Sequence, residues 1–411
     1  MPINLTSVPS RPLHAVLASS WRLSEALAAA LDGSGPAILP LDPGLPRARL
    51  DELIAAFRPA AIETTEGMKW LAHADQDGQA GVADEVAVVL ATSGSTGTPK
   101  GAELTSHALR ASARASLRRL GAPAGARWLC CLPTHHIAGL GVLVRSLEAG
   151  SDPVLAGREQ LASDLVARCD YVSLVPTQLR RLLDAGAPLA GFAGILLGGA
   201  AIPAGLLEDA AAAGARVVTT YGMTETCGGC VYDGWPLDDV RVATDAGGRI
   251  RISGPVLFSR YRGAPELTAA SLRDGWFVTS DLGQVAEDGR LTLRGRADDI
   301  ITTGGEKVAP GVVEAALASL DSVREAAVVG VPDPVWGERV AAIIVPADPG
   351  AAPGLADLRV QVRDKLPGYA APRTVICVTE IPMLTSGKPD RLKLKAMAAA
   401  QAPGSAAPGA R

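Results

Sequence analysis

The sequence predicts an α/β protein in two main parts. A large N-terminal domain of α/β sheets carries a small β subdomain, and a smaller α+β domain follows it. Three observations predict this. From about residue 85, short β-branched runs alternate with helical stretches, the pattern of a sheet covered by helices. After about residue 235 the texture changes to short β pieces separated by turns. Beyond residue 300 a compact α+β order succeeds a charged, glycine-rich joint.

Residues 1 to about 84 read as helices and short connections, such as "SEALAAALDG" and "RARLDELIAAFRP". The strand candidates that follow are "EVAVVL", "RWLCCLP", "YVSLVP", "GILLGG" and "RVVTTYG". Between the first two lies a predicted helix from Ser106 to Leu120. Leu109, Ala113, Leu117 and Leu120 fall on one of its faces, and Thr105 or Ser106 can cap its start. "GRIRISGP", "GWFVTSDLG" and "GRLTLRGR" form the β subdomain. The joint "GRADDIITTGGEKVAP" leads to the helix "GVVEAALASL", the strands "EAAVVGV" and "RVAAIIVP", the helix "LADLRVQVRDKL" and the strand "RTVICVTEI". The expected boundaries are 1–296 for the large domain, 300–397 for the small one, and a flexible Pro/Gly-rich tail over 398–411.

Composition narrows the function. With 39 basic and 43 acidic residues the net charge is −4, so no basic face offers itself to nucleic acid or an acidic membrane. Aromatic residues make up 4%, too few for a base-stacking platform. No signal peptide is evident and no run of 18 apolar residues suggests a membrane span. Six cysteines in a 411-residue chain do not form a disulfide framework, and free thiols in a cytoplasmic protein are expected. The partners expected are small molecules. A homodimer is open to the chain.

The segment "LATSGSTGTPKG", Leu90 to Gly101, follows an apolar strand and combines glycines, hydroxyls and one lysine. Backbone N–H groups free of Cβ crowding, hydroxyl donors and a cation make a phosphate cradle. It is not the common P-loop, because Pro99 precedes Lys100 and Gly101 follows it. The plain alternative is a flexible Gly/Ser hairpin turn. "TTYGMTET" ends a strand and offers Thr224, Thr226 and the Glu225 carboxylate, a natural Mg²⁺ ligand beside a phosphate cradle; a solvated turn is the alternative. "TSDLG" places Asp281 where it can accept hydrogen bonds from a ribose diol or initiate a turn. "GRADDIITTGG" supplies Arg296, Asp298 and Asp299. "LTSGKPDR" presents Lys388 between Gly387 and Pro389; taken alone, such a lysine is usually solvated.

In this order the five motifs resemble the signature of the ANL superfamily: acyl-CoA synthetases, adenylation domains of nonribosomal peptide synthetases, and luciferases. The resemblance covers residues 84–395, and the part before the phosphate loop is shorter than the family norm. It implies the acyl-CoA synthetase fold, a mobile C-terminal domain, and a reaction that joins a carboxylic acid to AMP before passing the acyl group to a thiol. ATP, Mg²⁺ and CoA are the implied cofactors and co-substrates. By motif matching, Thr92, Ser93, Gly94, Ser95, Thr96, Gly97, Thr98 and Lys100 hold the β- and γ-phosphates. Thr224 touches the α-phosphate and Glu225 binds Mg²⁺. Gly199, Ala200 and Ala201, with Tyr221 and Gly222, line the adenine slot, while Asp281 and Arg296 grip the ribose. Lys388 bridges the α-phosphate and the acid. Asp298 is the hinge, within 297–299, and Gly304 and Gly305 lie on the CoA side. Lys307 departs from the Asn that many relatives carry.

The acid is suggested by "LPTHHIAGLGVLVRSLEAG". In relatives the residue matching His136 walls the carboxylate site. Arg145 lies nine residues further along a predicted apolar helix, where an unpaired cation is costly. It can snorkel, pair with Glu148, or receive a second carboxylate on the substrate. This segment, "SLVPTQL" and "YGMTETCGGCVYDG" resemble the o-succinylbenzoate–CoA ligases of menaquinone biosynthesis, whose substrate is a dicarboxylate. Gly228 and Gly229, flanked by Cys227 and Cys230, would admit its flat ring. A redox or zinc role for Cys227-x-x-Cys230 is the rival reading, but no second pair has suitable spacing. His135 and His136 are expected to point apart. Other acyl or aryl acids, a stand-alone adenylation enzyme loading a carrier protein, and a non-catalytic ATP sensor are the alternatives.

Overall fold

The computed structural model describes residues 11–71, 81–93, 99–156, 166, 168–203, 205–384 and 389–401. The first sheet contains β1 (Arg11–Leu17), β2 (Ala37–Pro40), β3 (Ala61–Thr64), β4 (Gly67–Trp70), β5 (Gly81–Val82), β6 (Val86–Ser93), β7 (Pro99–Thr105) and the later β17 (Arg260–Tyr261). Its order is β17-β7-β6-β2-β1-β3-β4, with β5 paired to β1. The second sheet contains β8 (Trp128–Cys130), β9 (Val154–Leu155), β10 (Tyr171–Leu174), β11 (Gly194–Leu197), β12 (Val217–Met223), β13 (Gly228–Tyr232) and β14 (Trp235–Pro236). Its order is β14-β13-β12-β11-β10-β8-β9, parallel from β9 to β12.

Helices α1 (Ser20–Asp32), α3 (Ser106–Leu120) and α4 (Ile137–Ala149) share one core with residues of both sheets. Leu27, Leu109 and Leu143 meet Val88 and Leu90 of the first sheet and Trp128 and Leu196 of the second in that core. Strand periodicity sets the layers. Ile195 and Leu197 face the outer core with helices Pro176–Asp184 and Leu206–Ala212, while Leu196 faces the helix layer. Helix α2 (Arg47–Phe57) joins the outer core of the first sheet through Leu53 and Phe57. The side chain of Thr105 caps α3 by accepting from the Ala108 N–H, and Gly121 ends it in the left-handed conformation.

The third sheet is antiparallel: β15 (Arg241–Thr244), β16 (Arg249–Ser253), β19 (Trp276–Val285) and β18 (Leu272–Arg273), with β20 (Leu291–Arg296) on β19. The fourth contains β21 (Ile301–Thr303), β22 (Glu306–Val308), β23 (Val323–Asp333), β24 (Gly337–Pro346) and β25 (Thr374–Cys377). Its two faces bury separate clusters drawn from residues 301–398.

Two expectations are corrected. The first 84 residues are not only helices and connections: β1 to β5 lie there. "PLHAVL" and "AILP" are short runs of a parallel sheet buried on both faces, so they show no polar alternation. The tail does not begin at 398. Helix Arg391–Ala399 runs past it, Ala398 is fully buried, and its carbonyl accepts from Arg339.

One ion cluster ties distant parts of the first sheet together. Glu103, on β7, is 1% exposed and faces Arg260 at 2.7 Å and Arg262 at 3.4 Å. Arg262 also donates to the carbonyls of Phe57 and Gly81. Removing one member of such a buried set strands the others. Glu103→Ala should therefore lower stability by about 3–5 kcal/mol, read as a fall in the thermal midpoint.

Candidate active site

Among the described residues, Tyr221, Thr224, Glu225, Asp281 and Arg296 gather around the end of β12. The glycine-rich segment joins β6 to β7, whose register pairs Thr92 with Lys100 and Ser93 with Pro99. Its described flanks are thus paired antiparallel strands, unlike the strand and helix that flank a P-loop. The Thr92 hydroxyl donates to the Lys100 carbonyl at 3.4 Å. Gly94, Ser95, Thr96, Gly97, Thr98 and Lys388, and the side chain of Ser93, lie outside the described residues.

Gly199, Ala200 and Ala201 leave the C-terminal end of β11, beside the parallel strand β12 that ends in Tyr221, Gly222 and Met223. Ligands of open α/β sheets bind at such ends. A Cβ on Gly222 would stand 2.0 Å from the Gly228 carbonyl oxygen, so only glycine lets β12 and β13 approach here. The turn Thr224–Thr226 follows. Thr226 is fully buried; its hydroxyl accepts from the Met223 N–H and donates to the Gly228 carbonyl at 2.7 Å. That leaves Thr224 and Glu225 partly exposed on the turn.

Two carboxylates at this edge are each held by a phenol. The Tyr221 hydroxyl donates to Asp281 at 2.8 Å, and the Tyr261 hydroxyl donates to Glu225 at 2.7 Å. Burial, then the adjacent carboxylate, raises the pKa of both phenols, so both remain donors. Asp281 sits opposite Arg296 in the β19–β20 ladder, with a 3.6 Å contact to its guanidinium. Arg296 also reaches Asp298, in the turn Ala297–Asp299, at 3.5 Å. The groups predicted to hold adenine, ribose and hinge are therefore contiguous. Among the described residues no three His, Cys, Asp or Glu side chains form a metal-binding group. Glu225 still fits Mg²⁺, which takes one or two carboxylates and fills its shell with phosphate oxygens and water. Tyr261 is the only hydrogen-bond partner of the Glu225 carboxylate among the described residues.

His136 stands at the N-terminus of α4, and its ring packs 4.5 Å from that of His135, so the two do not point apart. Gly228 lies against Ile137, its would-be Cβ 3.8 Å from that side chain, which brings Gly228 and Gly229 beside the His136 end of α4. Arg145 lies about 13 Å further along the helix by rise alone. Its side chain runs back toward Gly141, with one terminal nitrogen 3.4 Å from where a Cβ on that residue would stand. The guanidinium covers Trp128 at 4.5 Å and donates to the Ser173 hydroxyl at 2.9 Å. Its Nε has no hydrogen-bond partner among the described residues. Burial pushes its pKa down. Glu148 does not pair with it; that carboxylate is taken by Arg110 and Arg114.

Gly304 and Gly305 make the two-residue turn between β21 and β22, both with positive φ, as such hairpins require. Gly304 packs on Trp336 and donates its N–H to the Trp336 carbonyl at 2.8 Å. Trp336, Arg359, Arg373, Asp333 and Leu355 line a cavity of about 430 Å³ there. Lys307 is exposed on β22. Sequence reasoning missed Tyr261, Trp128 and Ser173; "FSRYRG", with its aromatic between two arginines, carried the signal for the first.

The chain is similar to known proteins over most of its length. Residues 54–261 match the AMP-binding enzyme family and 312–388 match the AMP-binding enzyme C-terminal domain. A probable 2-succinylbenzoate–CoA ligase of Mycobacterium tuberculosis is 47% identical over 325 residues, covering 76% of this chain and 84% of that one. The 2-succinylbenzoate–CoA ligase of Geobacillus kaustophilus is 35% identical over 341 residues, covering 76% and 69%. Among solved structures, the o-succinylbenzoate CoA synthetase of Bacillus subtilis in complex with an acyl-adenylate intermediate superposes with a TM-score of 0.80. Its identity is 27%, over 94% of this chain and 89% of that one.

Cys227 and Cys230 are 4% and 0% exposed and unpaired. Burial pushes the Cys230 thiol up to about 12 and raises Cys227 as well. Both stay neutral thiols at any physiological pH. The folded protein should resist a thiol reagent at pH 8 at these two positions; rapid labelling there would revive the redox reading.

Proposed function

The chain belongs to the AMP-binding enzyme family, and from that premise we propose that it is an ATP-dependent acid–CoA ligase acting on 2-succinylbenzoate, giving 2-succinylbenzoyl-CoA, AMP and pyrophosphate. The substrates are small molecules, and no helix of the described residues is long and apolar enough to cross a membrane. We place the reaction in the cytoplasm, a reading supported by six unpaired cysteines, and within menaquinone biosynthesis. The chain divides into a large domain to residue 296, a hinge at 297–299 and a lid from 300.

In the first half-reaction a carboxylate oxygen attacks the α-phosphorus of ATP in line and pyrophosphate leaves. Like charges must meet, so positioning and electrostatics carry the catalysis. The segment from Thr92 to Lys100 steadies the departing phosphates. Thr224 meets the α-phosphate, and Glu225 would hold Mg²⁺, which would supply positive charge to offset that of the phosphates. Tyr221, Gly222 and Gly199–Ala201 form the adenine slot, while Asp281 and Arg296 take the ribose. Lys388 bridges attacking and leaving oxygens, and His136 walls the acid site. Rotation about Asp298 then withdraws Lys388 and admits the thiol beside Gly304 and Gly305. The cavity there offers two arginines and an indole, chemistry suited to the phosphates and base of CoA.

The observation that carries the choice of acid is Arg145. A buried guanidinium with no carboxylate partner among the described residues, reaching back to within about five residues of His136 on the same helix, supports a substrate with a second carboxylate. A dicarboxylate with one end at His136 would supply the missing anion. A monocarboxylic acid would leave the cation unpaired.

Pyrophosphate release with a panel of acids tests the function. 2-Succinylbenzoate should be activated; activation of benzoate or a fatty acid instead would overturn the reading. Arg145→Met keeps the volume and removes the charge. It should raise KM for the dicarboxylate ~10- to 100-fold and leave KM for ATP within about twofold; an unchanged KM would make Arg145 structural. Lys388→Ala should lose adenylation by several orders of magnitude yet still transfer acyl groups from preformed adenylate to CoA. Full ATP–pyrophosphate exchange by that variant would remove Lys388 from the mechanism.

A further inference from the structure

Glu225 is positioned from outside its own turn. Its only side-chain partner among the described residues is the hydroxyl of Tyr261, which donates to Oε1 at 2.7 Å. Tyr261 is 6% exposed, and its ring packs 4.7 Å from that of Phe258. The backbone of the same segment holds the turn a second time, because the Phe258 N–H donates to the Glu225 carbonyl at 2.9 Å.

This segment is also fastened to the strand that leaves the glycine-rich hairpin. Strand β17 pairs antiparallel with β7, Arg260 opposite Glu103 and Tyr261 opposite Ala102. The Ser259 N–H donates to the Glu103 carbonyl, and the Glu103 carboxylate is clamped by Arg260 and Arg262. Lys100, three residues before Glu103, stands on that same strand. One short stretch, Phe258 to Arg262, therefore spans from the phosphate hairpin to the acidic turn and ends in a hydroxyl aimed at a carboxylate oxygen.

We infer that Tyr261 is a positioning residue for the metal site: its hydroxyl fixes the plane of the Glu225 carboxylate and leaves Oε2 directed to the cation that accompanies ATP. A phenol suits this task. It holds one oxygen without bringing a positive charge, so the carboxylate keeps its negative charge for the cation. A hydrogen-bonded ligand loses less freedom on binding, and such outer partners govern metal affinity. This inference rests on the metal role proposed for Glu225.

The test uses the full-length protein, with Mn²⁺ in place of Mg²⁺ as a spectroscopic probe. Tyr261→Phe retains the ring and its packing and removes only the hydroxyl. Mn²⁺ binding in the presence of ATP is read by electron paramagnetic resonance, and the Mg²⁺ dependence of pyrophosphate exchange alongside it. Tyr261→Phe should weaken Mn²⁺ binding ~10-fold or more and shift the Mg²⁺ activation curve equally. KM for the acid and the transfer of preformed acyl-adenylate to CoA should be unchanged. In a Glu225→Gln background the same substitution should have no further effect. Unchanged Mn²⁺ binding in Tyr261→Phe, with Glu225→Gln defective, would overturn the positioning role alone. An effect of Tyr261→Phe that persists in the Glu225→Gln background would overturn it too. Normal Mn²⁺ binding in Glu225→Gln would overturn the metal assignment on which it rests.

Discussion

A single buried carboxylate organises the part of the molecule where the chemistry is proposed. Glu103 lies inside the first sheet with an arginine on either side, and the desolvation of three charges is offset only because they are placed together. Through it, a segment more than 150 residues later in the chain is locked alongside the strand that leaves the phosphate hairpin. Everything that segment carries inherits its position from this contact, including the phenol of Tyr261 and the backbone N–H of Phe258. The acidic turn of Glu225 is thereby referred to the hairpin of Lys100, although the two belong to different sheets.

The molecule treats like groups in opposite ways according to their use. Glu103 and Glu148 are each met by two arginines, so the negative charge of each is compensated within the protein. Glu225 is met by a neutral phenol, and Asp281 by a phenol and one loose arginine contact. A hydrogen bond from a phenol orients a carboxylate while leaving its charge available to a ligand. The same contrast separates Arg110 and Arg114, which share a carboxylate, from Arg145, which among the described residues meets an indole face and a serine hydroxyl but no carboxylate. Groups whose charge is cancelled internally hold the frame. Groups whose charge remains face the proposed ligands.

Much of the frame was legible because it depends on local rules. "EVAVVL", "RWLCCLP", "YVSLVP", "GILLGG" and "RVVTTYG" each overlap a strand, and α3 begins and ends at the predicted residues with Thr105 as its cap. The misses have physical causes. The strands of the first 84 residues are two to seven residues long, β1 and β2 are largely buried on both faces and β4 is exposed throughout, so neither alternation nor length distinguishes them from loops or helix ends. The tail reads as mobile because its residues are small and it is Pro/Gly-rich, yet Arg339 reaches across 59 positions to bind the Ala398 carbonyl. His135 and His136 pack together because a tight turn, in which a Cβ on Gly139 would meet the Pro133 carbonyl at 2.3 Å, folds their backbone.

By itself, the sequence determined the family, the reaction type, and which hydroxyls, carboxylates and lysines are candidates for it. Those follow from short motifs whose chemistry depends on residue type and spacing. Only the tertiary structure decided which oxygen of Glu225 is held and by what, that Glu148 is not the partner of Arg145, and that Asp281 leans on Tyr221. Each of these is a choice among several partners of suitable chemistry. Charge and spacing along a chain do not make that choice; desolvation does, because a buried ion accepts only the partner that packing brings within reach.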